Sequence, residues 1–205
     1  MRIGVLVSGR GTNLGALIAA RDAGRLAPAE LAVVISNVAH AGALAIAAEA
    51  GLPHAVVSHG GLAREAFETQ VLAALAAHAV DAVVLAGFMR LLTPHFLAQF
   101  PQRVINTHPS LLPAFAGKDA PAQAIAHGVK LAGVTIHFVD ASLDGGPIIA
   151  QAAVPVLPGD DASTLHARIQ REEHRLLPEV VQRLAAGLVT CQGRLVTMIE
   201  PGERG

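Results

Sequence analysis

The sequence predicts a single α/β domain of Rossmann-like architecture, with an open, twisted and mostly parallel sheet flanked by helices. Strand and helix patterns alternate along the chain, which is typical of parallel sheets. Hydrophobic residues make up 52% of the 205 residues, but only 3% are aromatic, and Trp and Tyr are absent. A core built from Ala, Val, Leu and Ile favours parallel strands that are buried on both faces. The length suits one domain with a sizeable core.

The first half of the chain contains four predicted strands, over residues 2–8, 31–36, 54–57 and 81–86. Each is a short apolar run rich in Val, Ile or Leu. Apolar residues at helical spacing predict helices over residues 14–21, 41–50 and 62–77. Thr93 and Pro94 open a further short helix, because proline is favoured in a first helical turn.

The second half predicts a short buried strand within residues 104–113 and further strands over residues 134–139, 148–156, 188–191 and 194–199. A helix to residue 126 is expected to begin near Pro121. The longest helix follows Asp160 and Asp161, and Pro178 is expected to bend it. Its buried face is marked by Leu165, Ile169, Leu176, Val180 and Leu184.

Charge and cysteine content exclude several classes of protein. A net charge of −1 without a Lys/Arg run argues against nucleic-acid binding. The uncharged residues 31–48 are interrupted by polar residues and glycine, so they are not expected to span a membrane, and the apolar run 3–7 is too short for a signal peptide. A single cysteine, Cys191, offers no internal disulfide, and the ten histidines lack metal-site spacing. We expect a cytoplasmic protein without a metal ion.

Two polar side chains share one face of the predicted strand within residues 104–113. Residues two apart on a strand point to the same side, and Pro109 disfavours helical backbone at His108, so Asn106 and His108 lie together while Thr107 points away. An amide beside an imidazole suits a carbonyl oxygen that becomes an oxyanion during acyl transfer. The alternative is a strand end whose polar side chains only satisfy turn backbone.

A loop of small residues, 9–13, joins the first predicted strand to the first helix. This arrangement is typical of a phosphate site, with a plain tight turn as the alternative, and Thr12 or Asn13 is expected to cap the helix. The loop is not a dinucleotide fingerprint, because Leu14 stands where the third glycine would be. Asn37, rather than an acidic residue, ends the second strand.

Four further polar residues are candidates by position. Arg90 follows a predicted strand at the sheet edge where ligands bind, although a salt bridge to a neighbouring helix would also explain it. His137 could face the core or a cleft. Asp144 precedes two glycines and can be aimed by its loop, or it is an ordinary turn residue. Glu173 borders the apolar face of the longest helix, where sugar hydroxyls or a nearby arginine would serve as donors.

Four segments together resemble one enzyme family. They are residues 8–14 (SGRGTNL), 86–90 (AGFMR), 105–113 (INTHPSLLP) and 139–147 (VDASLDGGP). Their order and separations resemble those of the phosphoribosylglycinamide formyltransferase family, which is folate-dependent. The resemblance implies the formyltransferase fold, as one domain over residues 1–205. Residues 1–100 would form a nucleotide- and phosphate-binding half, and residues 101–205 a catalytic and folate-binding half.

The resemblance also implies an activity in purine biosynthesis. A formyl group would pass directly from 10-formyltetrahydrofolate, as co-substrate, to the amine of 5′-phosphoribosylglycinamide, without a metal. It implies that the catalytic residues are Asn106, His108 and Asp144, and that the nucleotide is bound by Gly11, Thr12, Asn13 and Glu173. The folate would be bound by Arg64, Met89, Arg90, Leu91, Leu92, Asn106, Asp140 and Asp144. The partners would be these two small molecules, bound by a monomer or a homodimer, with no nucleic acid and no membrane.

Two positions depart from the family pattern, since Asp119 and Pro121 lie where some relatives carry histidine. Three other functions stay open at this point. A sister folate formyltransferase or a formyltetrahydrofolate hydrolase would share the catalytic trio but carry an additional domain. A non-catalytic nucleotide-binding module would have no use for His108 and Asp144. A Rossmann redox enzyme is disfavoured by Leu14 and by Asn37.

Overall fold

A computed structural model describes residues 1–199 and contains a seven-stranded sheet in the order β3-β2-β1-β4-β5-β6-β7. Strands β1 to β5 pair in parallel, and β6 and β7 join them antiparallel. The predicted open, mostly parallel sheet is confirmed. The strands are β1 (Arg2–Val7), β2 (Glu30–Ser36), β3 (His54–Val56), β4 (Ala82–Leu85), β5 (Val104–His108), β6 (Leu131–Phe138) and β7 (Ile148–Pro155).

Helices cover both faces of this sheet. They are α1 (Thr12–Asp22), α2 (Gly42–Glu49), α3 (Arg64–Ala77), α4 (Pro94–Leu97), α5 (Ala120–His127) and α6 (Ala162–Ala185). On one face, Leu17 of α1 and Ile169 of α6 pack in a cluster with Val5 of β1. On the other face, Phe67 of α3 packs with Leu6 of β1. Adjacent strand residues therefore enter opposite clusters, and each fully buried side chain of this size contributes about 1.5–3 kcal/mol.

The strand order reverses between β1 and β4. In open α/β sheets, the crevice beyond the carboxyl ends of the strands at such a switch point is where ligands bind. Residues 8–11 follow β1 and residues 86–93 follow β4, so both segments reach this crevice. Strand β5 lies beside β4 and ends at the same edge of the sheet.

Helix α1 begins two residues earlier than predicted. Its N-cap is Gly11, with φ 85° and no side-chain capping bond. The expectation that Thr12 or Asn13 caps the helix was wrong, because both residues lie inside its first turn. The hydroxyl of Thr12 instead accepts a hydrogen bond from Gln170 of α6.

Helix α6 begins with a capping box in which Asp161 and Thr164 exchange hydrogen bonds, and it continues through Pro178 without interruption. The hairpin of β8 (Val189–Gln192) and β9 (Leu195–Met198) follows it. Within residues 1–199, no helix combines the length and the apolar character needed to cross a bilayer.

Candidate active site

A cavity of about 320 Å³ opens at the switch point between β1 and β4, and we call it the switch-point cavity. The loop after β1, the segment after β4, the end of β5 and one face of α6 line it. A separate hollow of about 420 Å³ is lined by Leu72, Ala73, Ala76, Val80, Gln99 and Phe100, none of which is titratable. The lining of the switch-point cavity, in contrast, includes the titratable side chains of Arg10, His166 and Glu173.

The loop after β1 is fixed by close packing against α2. A Cβ atom at Gly11 would lie 2.7 Å from the Cα of Ala43, and the amide of Ala43 donates to the carbonyl of Gly9 at 3.1 Å. Only glycine fits at Gly11, because its φ is also positive. The loop thereby brings the amino end of α1, with its positive partial charge, to the cavity wall. Asn13 also lines the cavity, and its buried amide oxygen has no hydrogen-bond partner within residues 1–199.

Helix α6 forms a second wall of the switch-point cavity. Gln170 Nε2 donates to Thr12 Oγ1 at 2.9 Å, which ties α6 to the first turn of α1. Glu173 is only 4% exposed and accepts a hydrogen bond from Thr107 Oγ1 at 2.7 Å. The alternative that an arginine pairs with Glu173 was wrong, because the hydrogen bond to its carboxylate comes from the hydroxyl of Thr107 on β5. Thr107 points away from Asn106 and His108, as the strand pattern predicted.

Asn106 and His137 face each other across the β5–β6 pair. Asn106 Nδ2 lies 3.2 Å from His137 Nε2, and His137 Nδ1 lies 2.9 Å from the carbonyl oxygen of Phe138. Because a carbonyl oxygen only accepts, Nδ1–H donates to it and Nε2 accepts from the amide of Asn106. Burial lowers the pKa of His137, which favours this neutral form.

His108 lies between a carboxylate and a carbonyl group. Its Nδ1 is 3.4 Å from Asp144 Oδ2, and its Nε2 is 2.9 Å from the carbonyl oxygen of Phe115. Both neighbours are acceptors, so the arrangement suits an imidazole that carries a proton on each nitrogen. Asp144 Oδ1 also lies 3.9 Å from His137 Nε2. Asn106, His108 and Asp144 therefore converge, and His137 is the fourth member of this group, which we call the His108 cluster.

Asp144 is aimed at this cluster by the loop that precedes β7. Its Oδ2 accepts a hydrogen bond from the amide of Gly117 at 2.8 Å, so it does not serve only its own turn. A Cβ atom at Gly146 would lie 1.8 Å from the carbonyl oxygen of Phe138. The chain can return to β7 along this path only because residue 146 is glycine.

The segment after β4 presents apolar side chains of unequal exposure. Met89 is 77% exposed and Leu91 is 54% exposed, whereas Leu92 is 8% exposed and packs with Phe67 in the core. Leu92 therefore stays a predicted folate-binding residue whose side chain is buried in the core. Only its backbone remains available to a ligand.

Charged residues expected on the folate side occupy three different settings. The guanidinium carbon of Arg90 lies 5.2 Å from the ring centroid of Phe67, and within residues 1–199 its buried Nε has no hydrogen-bond partner. A salt bridge therefore does not account for its position. Arg64 is exposed at the first position of α3. Asp140 accepts from the amide of Ser142 at 2.9 Å, within its own loop.

Ser8 holds the start of the segment after β4 through a network that the sequence did not reveal. Its Oγ accepts from the amide of Met89 at 2.9 Å and donates to Asn37 Oδ1 at 2.6 Å. Asn37 thus has a structural role at the strand end where a dinucleotide-binding protein would carry an acidic residue. The only available signal was that Ser8 stands first in the segment 8–14.

Glu68 holds the other end of this segment. It is 1% exposed and accepts hydrogen bonds from both the amide and the hydroxyl of Thr93, the former at 2.8 Å. The signal available for Glu68 was its helical spacing from Val71 and Leu75, which places it on the buried face of α3. The segment after β4 is therefore anchored at both ends.

A family model described as formyl transferase matches residues 1–181. The chain belongs to the formyl transferase family. It is 48% identical over 198 residues to a phosphoribosylglycinamide formyltransferase of Mycobacterium tuberculosis, which covers 96% of this chain and 91% of the relative. A crystal structure of glycinamide ribonucleotide transformylase 1 from Symbiobacterium toebii matches with a TM-score of 0.95 and 48% identity, over 98% of this chain and 94% of that chain.

One structural relative of this formyl transferase is named for a different activity. A formyltetrahydrofolate deformylase from Pseudomonas syringae matches with a TM-score of 0.88 and 28% identity, over 97% of this chain but only 66% of that chain. The family expected from the four sequence segments is confirmed. Within residues 1–199, the formyl transferase contains no group of three or more His, Cys, Asp or Glu side chains placed to hold a metal ion.

Replacing Gly11 of this formyl transferase by alanine is expected to destabilise the loop after β1. The added Cβ would lie 2.7 Å from the Cα of Ala43, and a φ of 85° is unfavourable for alanine. We expect the free energy of unfolding, measured by urea denaturation, to fall by about 1–3 kcal/mol. Gly9→Ala is the matched control, because a Cβ there meets nothing within 4 Å. Equal losses in both variants would contradict this account of the loop.

Proposed function

We propose that this chain transfers a formyl group from 10-formyltetrahydrofolate to the primary amine of 5′-phosphoribosylglycinamide, the reaction that the names of its relatives indicate. The observation that carries the proposal is the His108 cluster, in which His108 Nδ1 lies 3.4 Å from Asp144 Oδ2 and Asn106 lies on the same face of β5. Formyl transfer between two nitrogens passes through an oxyanion, and this cluster gathers donors for one. We further propose that the enzyme works in the cytoplasm on these two small molecules.

The nucleotide is assigned to the switch-point cavity, with its phosphate at residues 11–13. The amino end of α1 supports this placement, because free backbone N–H groups and the helix dipole favour an anion there. Glu173 lines the same cavity, and an ionised carboxylate suits ribose hydroxyls because it only accepts hydrogen bonds. The hydroxyl of Thr107 holds this carboxylate in place.

The formyl donor is assigned to the side formed by the segment after β4 and by residues 140–144. Met89 and Leu91 offer exposed apolar surface, which suits a flat heterocycle such as the pterin ring. The buried Nε of Arg90 is a hydrogen-bond donor in need of an acceptor. Arg64 and Asp140 are assigned to the same substrate, as the family resemblance implies.

The chemical step is assigned to direct attack by the nucleotide amine. The amine nitrogen bonds to the formyl carbon, and the carbonyl electron pair moves onto the formyl oxygen. The carbonyl then forms again as the bond between carbon and the folate nitrogen breaks. One proton passes from the attacking amine to the departing nitrogen, by way of His108 or a bound water, so no covalent bond to the protein is needed.

Asn106 is assigned as one donor to the formyl oxygen. Its NH₂ group carries two hydrogens, and His137 Nε2 accepts one of them at an N–N distance of 3.2 Å. The second hydrogen remains for the oxyanion. His137 therefore fixes which end of the amide faces the substrate, and it does so because its neutral form leaves Nε2 as an acceptor.

His108 is assigned as the second donor, in its protonated form. The carboxylate of Asp144 favours that form by direct charge attraction. In the structure, Nε2–H donates to the carbonyl of Phe115. The formyl oxygen would replace this carbonyl as the acceptor, which requires residues 111–117 to move aside. Loss of one such donor typically removes about 2.7–4 kcal/mol of transition-state stabilisation.

The proposal is tested by mixing the full chain with 10-formyltetrahydrofolate and 5′-phosphoribosylglycinamide. We expect formylated nucleotide and tetrahydrofolate in equal amounts, measured by mass spectrometry and by absorbance. Without the nucleotide, the donor should stay intact. Loss of the formyl group in the absence of an acceptor would instead indicate a hydrolase, the activity named for the Pseudomonas relative.

Asp144→Asn is expected to lower kcat by about 100- to 1000-fold, because the amide keeps the shape of the side chain but not its charge. The KM values for both substrates should change much less. Asp119→Asn, at an exposed position, is the control. An unchanged kcat in Asp144→Asn would remove this residue from the mechanism.

Glu173→Gln is expected to raise the KM for the nucleotide by about 10- to 100-fold, since a hydrogen bond to a charged group contributes about 1.5–3 kcal/mol. The KM for the formyl donor should stay the same, because Glu173 lies on the α6 wall of the switch-point cavity. Glu172→Gln, which alters the more exposed neighbour on the same helix, is the matched control. Equal increases in both KM values would contradict the ribose assignment.

A further inference from the structure

Helix α6 presents a row of three polar side chains to the switch-point cavity. His166, Gln170 and Glu173 are four and three residues apart, so they share one face of the helix, and all three line the cavity. Gln170 donates to the Thr12 hydroxyl at 2.9 Å, so this face lies directly against the first turn of α1. His166 lies one helical turn from Gln170, on the side away from Glu173.

These three side chains follow one another along the wall of the switch-point cavity. At a rise of 1.5 Å per residue, His166 lies about 6 Å from Gln170 and about 10 Å from Glu173 along the helix axis. Glu173 is assigned to the ribose and Gln170 contacts Thr12 of the loop assigned to the phosphate, so His166 lies one turn beyond this contact, on the side away from the ribose. The imidazole is half-buried, and no residue within 1–199 forms a hydrogen bond or an ion pair with it.

We propose that His166 binds the phosphate group of the nucleotide substrate and takes up a proton as it does so. This inference rests on the proposed function, because it requires a substrate phosphate at residues 11–13. A phosphate monoester carries a charge of about −1.5 to −2 at neutral pH. Imidazole is the side chain whose charge changes most readily in this range, and an adjacent anion favours its protonated form.

The other titratable groups on the cavity are Arg10 and Glu173. Arg10 is exposed and supplies a fixed positive charge from the loop after β1. Glu173 lies about two turns along α6 and is bonded to Thr107. The segment after β4 and the end of β5 contribute no titratable side chain to the cavity, and neither does α1. His166 is therefore the cavity group whose charge can respond to a bound phosphate.

The acidic residues at the amino end of α6 are already engaged. Asp160 is paired with Arg168 at 2.5 Å, and Asp161 accepts from the amide of Thr164 at 2.8 Å. The guanidinium of Arg168 holds the pKa of Asp160 well below its usual range, so Asp160 remains ionised and paired. These two carboxylates lie outside the lining of the switch-point cavity.

The test is calorimetric titration of the full chain with 5′-phosphoribosylglycinamide, in two buffers of different ionisation enthalpy near neutral pH. Proton uptake on binding is expected for the wild type and should decrease in His166→Gln, which should also bind about tenfold more weakly. The KM for the nucleotide should rise to a similar extent, and the KM for the formyl donor should change much less. His54→Gln is the matched control, because His54 is exposed at the start of the edge strand β3 and does not line the switch-point cavity.

Two probes separate this inference from the proposed function. Ribosylglycinamide, which lacks the phosphate, should bind equally to the wild type and to His166→Gln, whereas inorganic phosphate should bind more weakly to the variant. Unchanged affinity and proton uptake in the variant, or an equal loss of affinity for the phosphate-free ligand, would overturn the role of His166. If inorganic phosphate binding depends on His166 but the chain does not formylate the nucleotide, the proposed function fails and the phosphate site stands.

Discussion

The alternation of side chains along β5 holds the whole site together. Thr107 points toward α6 and donates to Glu173 at 2.7 Å, whereas Asn106 and His108 point to the other side, where His108 meets Asp144 at 3.4 Å. Because successive strand residues point to opposite faces, a shift of one residue in register would exchange these two sets. The pairing of β5 with β4 and β6 therefore positions both the wall of the switch-point cavity and the His108 cluster.

Buried polar side chains position the loops of the site, in a chain whose charged residues are only 15% of the total. His108, His137, Glu68 and Glu173 are each at most 5% exposed, and each has a defined hydrogen-bond partner. A buried polar group that loses its partner costs about 1–3 kcal/mol, so alternative arrangements of the attached loops are disfavoured. The site is thus ordered by the need to satisfy these groups, and in this order both nitrogens of His108 are engaged by protein acceptors.

The sequence predicted the sheet, its ligand-binding edge and the shared face of Asn106 and His108, because strand alternation and helical spacing are local patterns. It failed where a partner lies far along the chain. The donor to Glu173 comes from a residue 66 positions away, and the group that bonds Thr12 lies 158 positions away. Local rules therefore suggested an arginine for the first and a helix cap for the second. The catalytic role of Asp144 was expected from family resemblance, since the local sequence left open whether its loop aims the side chain or it is an ordinary turn residue.

Two imidazoles share one carboxylate in the His108 cluster, and burial favours the neutral form of one of them, His137, by lowering its pKa. Asp144 lies 3.4 Å from His108 and 3.9 Å from His137, and a single negative charge balances a single imidazolium. His137 is already bonded at both nitrogens in its neutral form, and burial lowers its pKa. If His137 were protonated, its Nε2–H would face the NH₂ group of Asn106, and two hydrogen-bond donors would oppose each other. The neutral form of His137 therefore keeps the amide of Asn106 oriented, while both nitrogens of His108 face acceptors, the carboxylate of Asp144 and the carbonyl of Phe115.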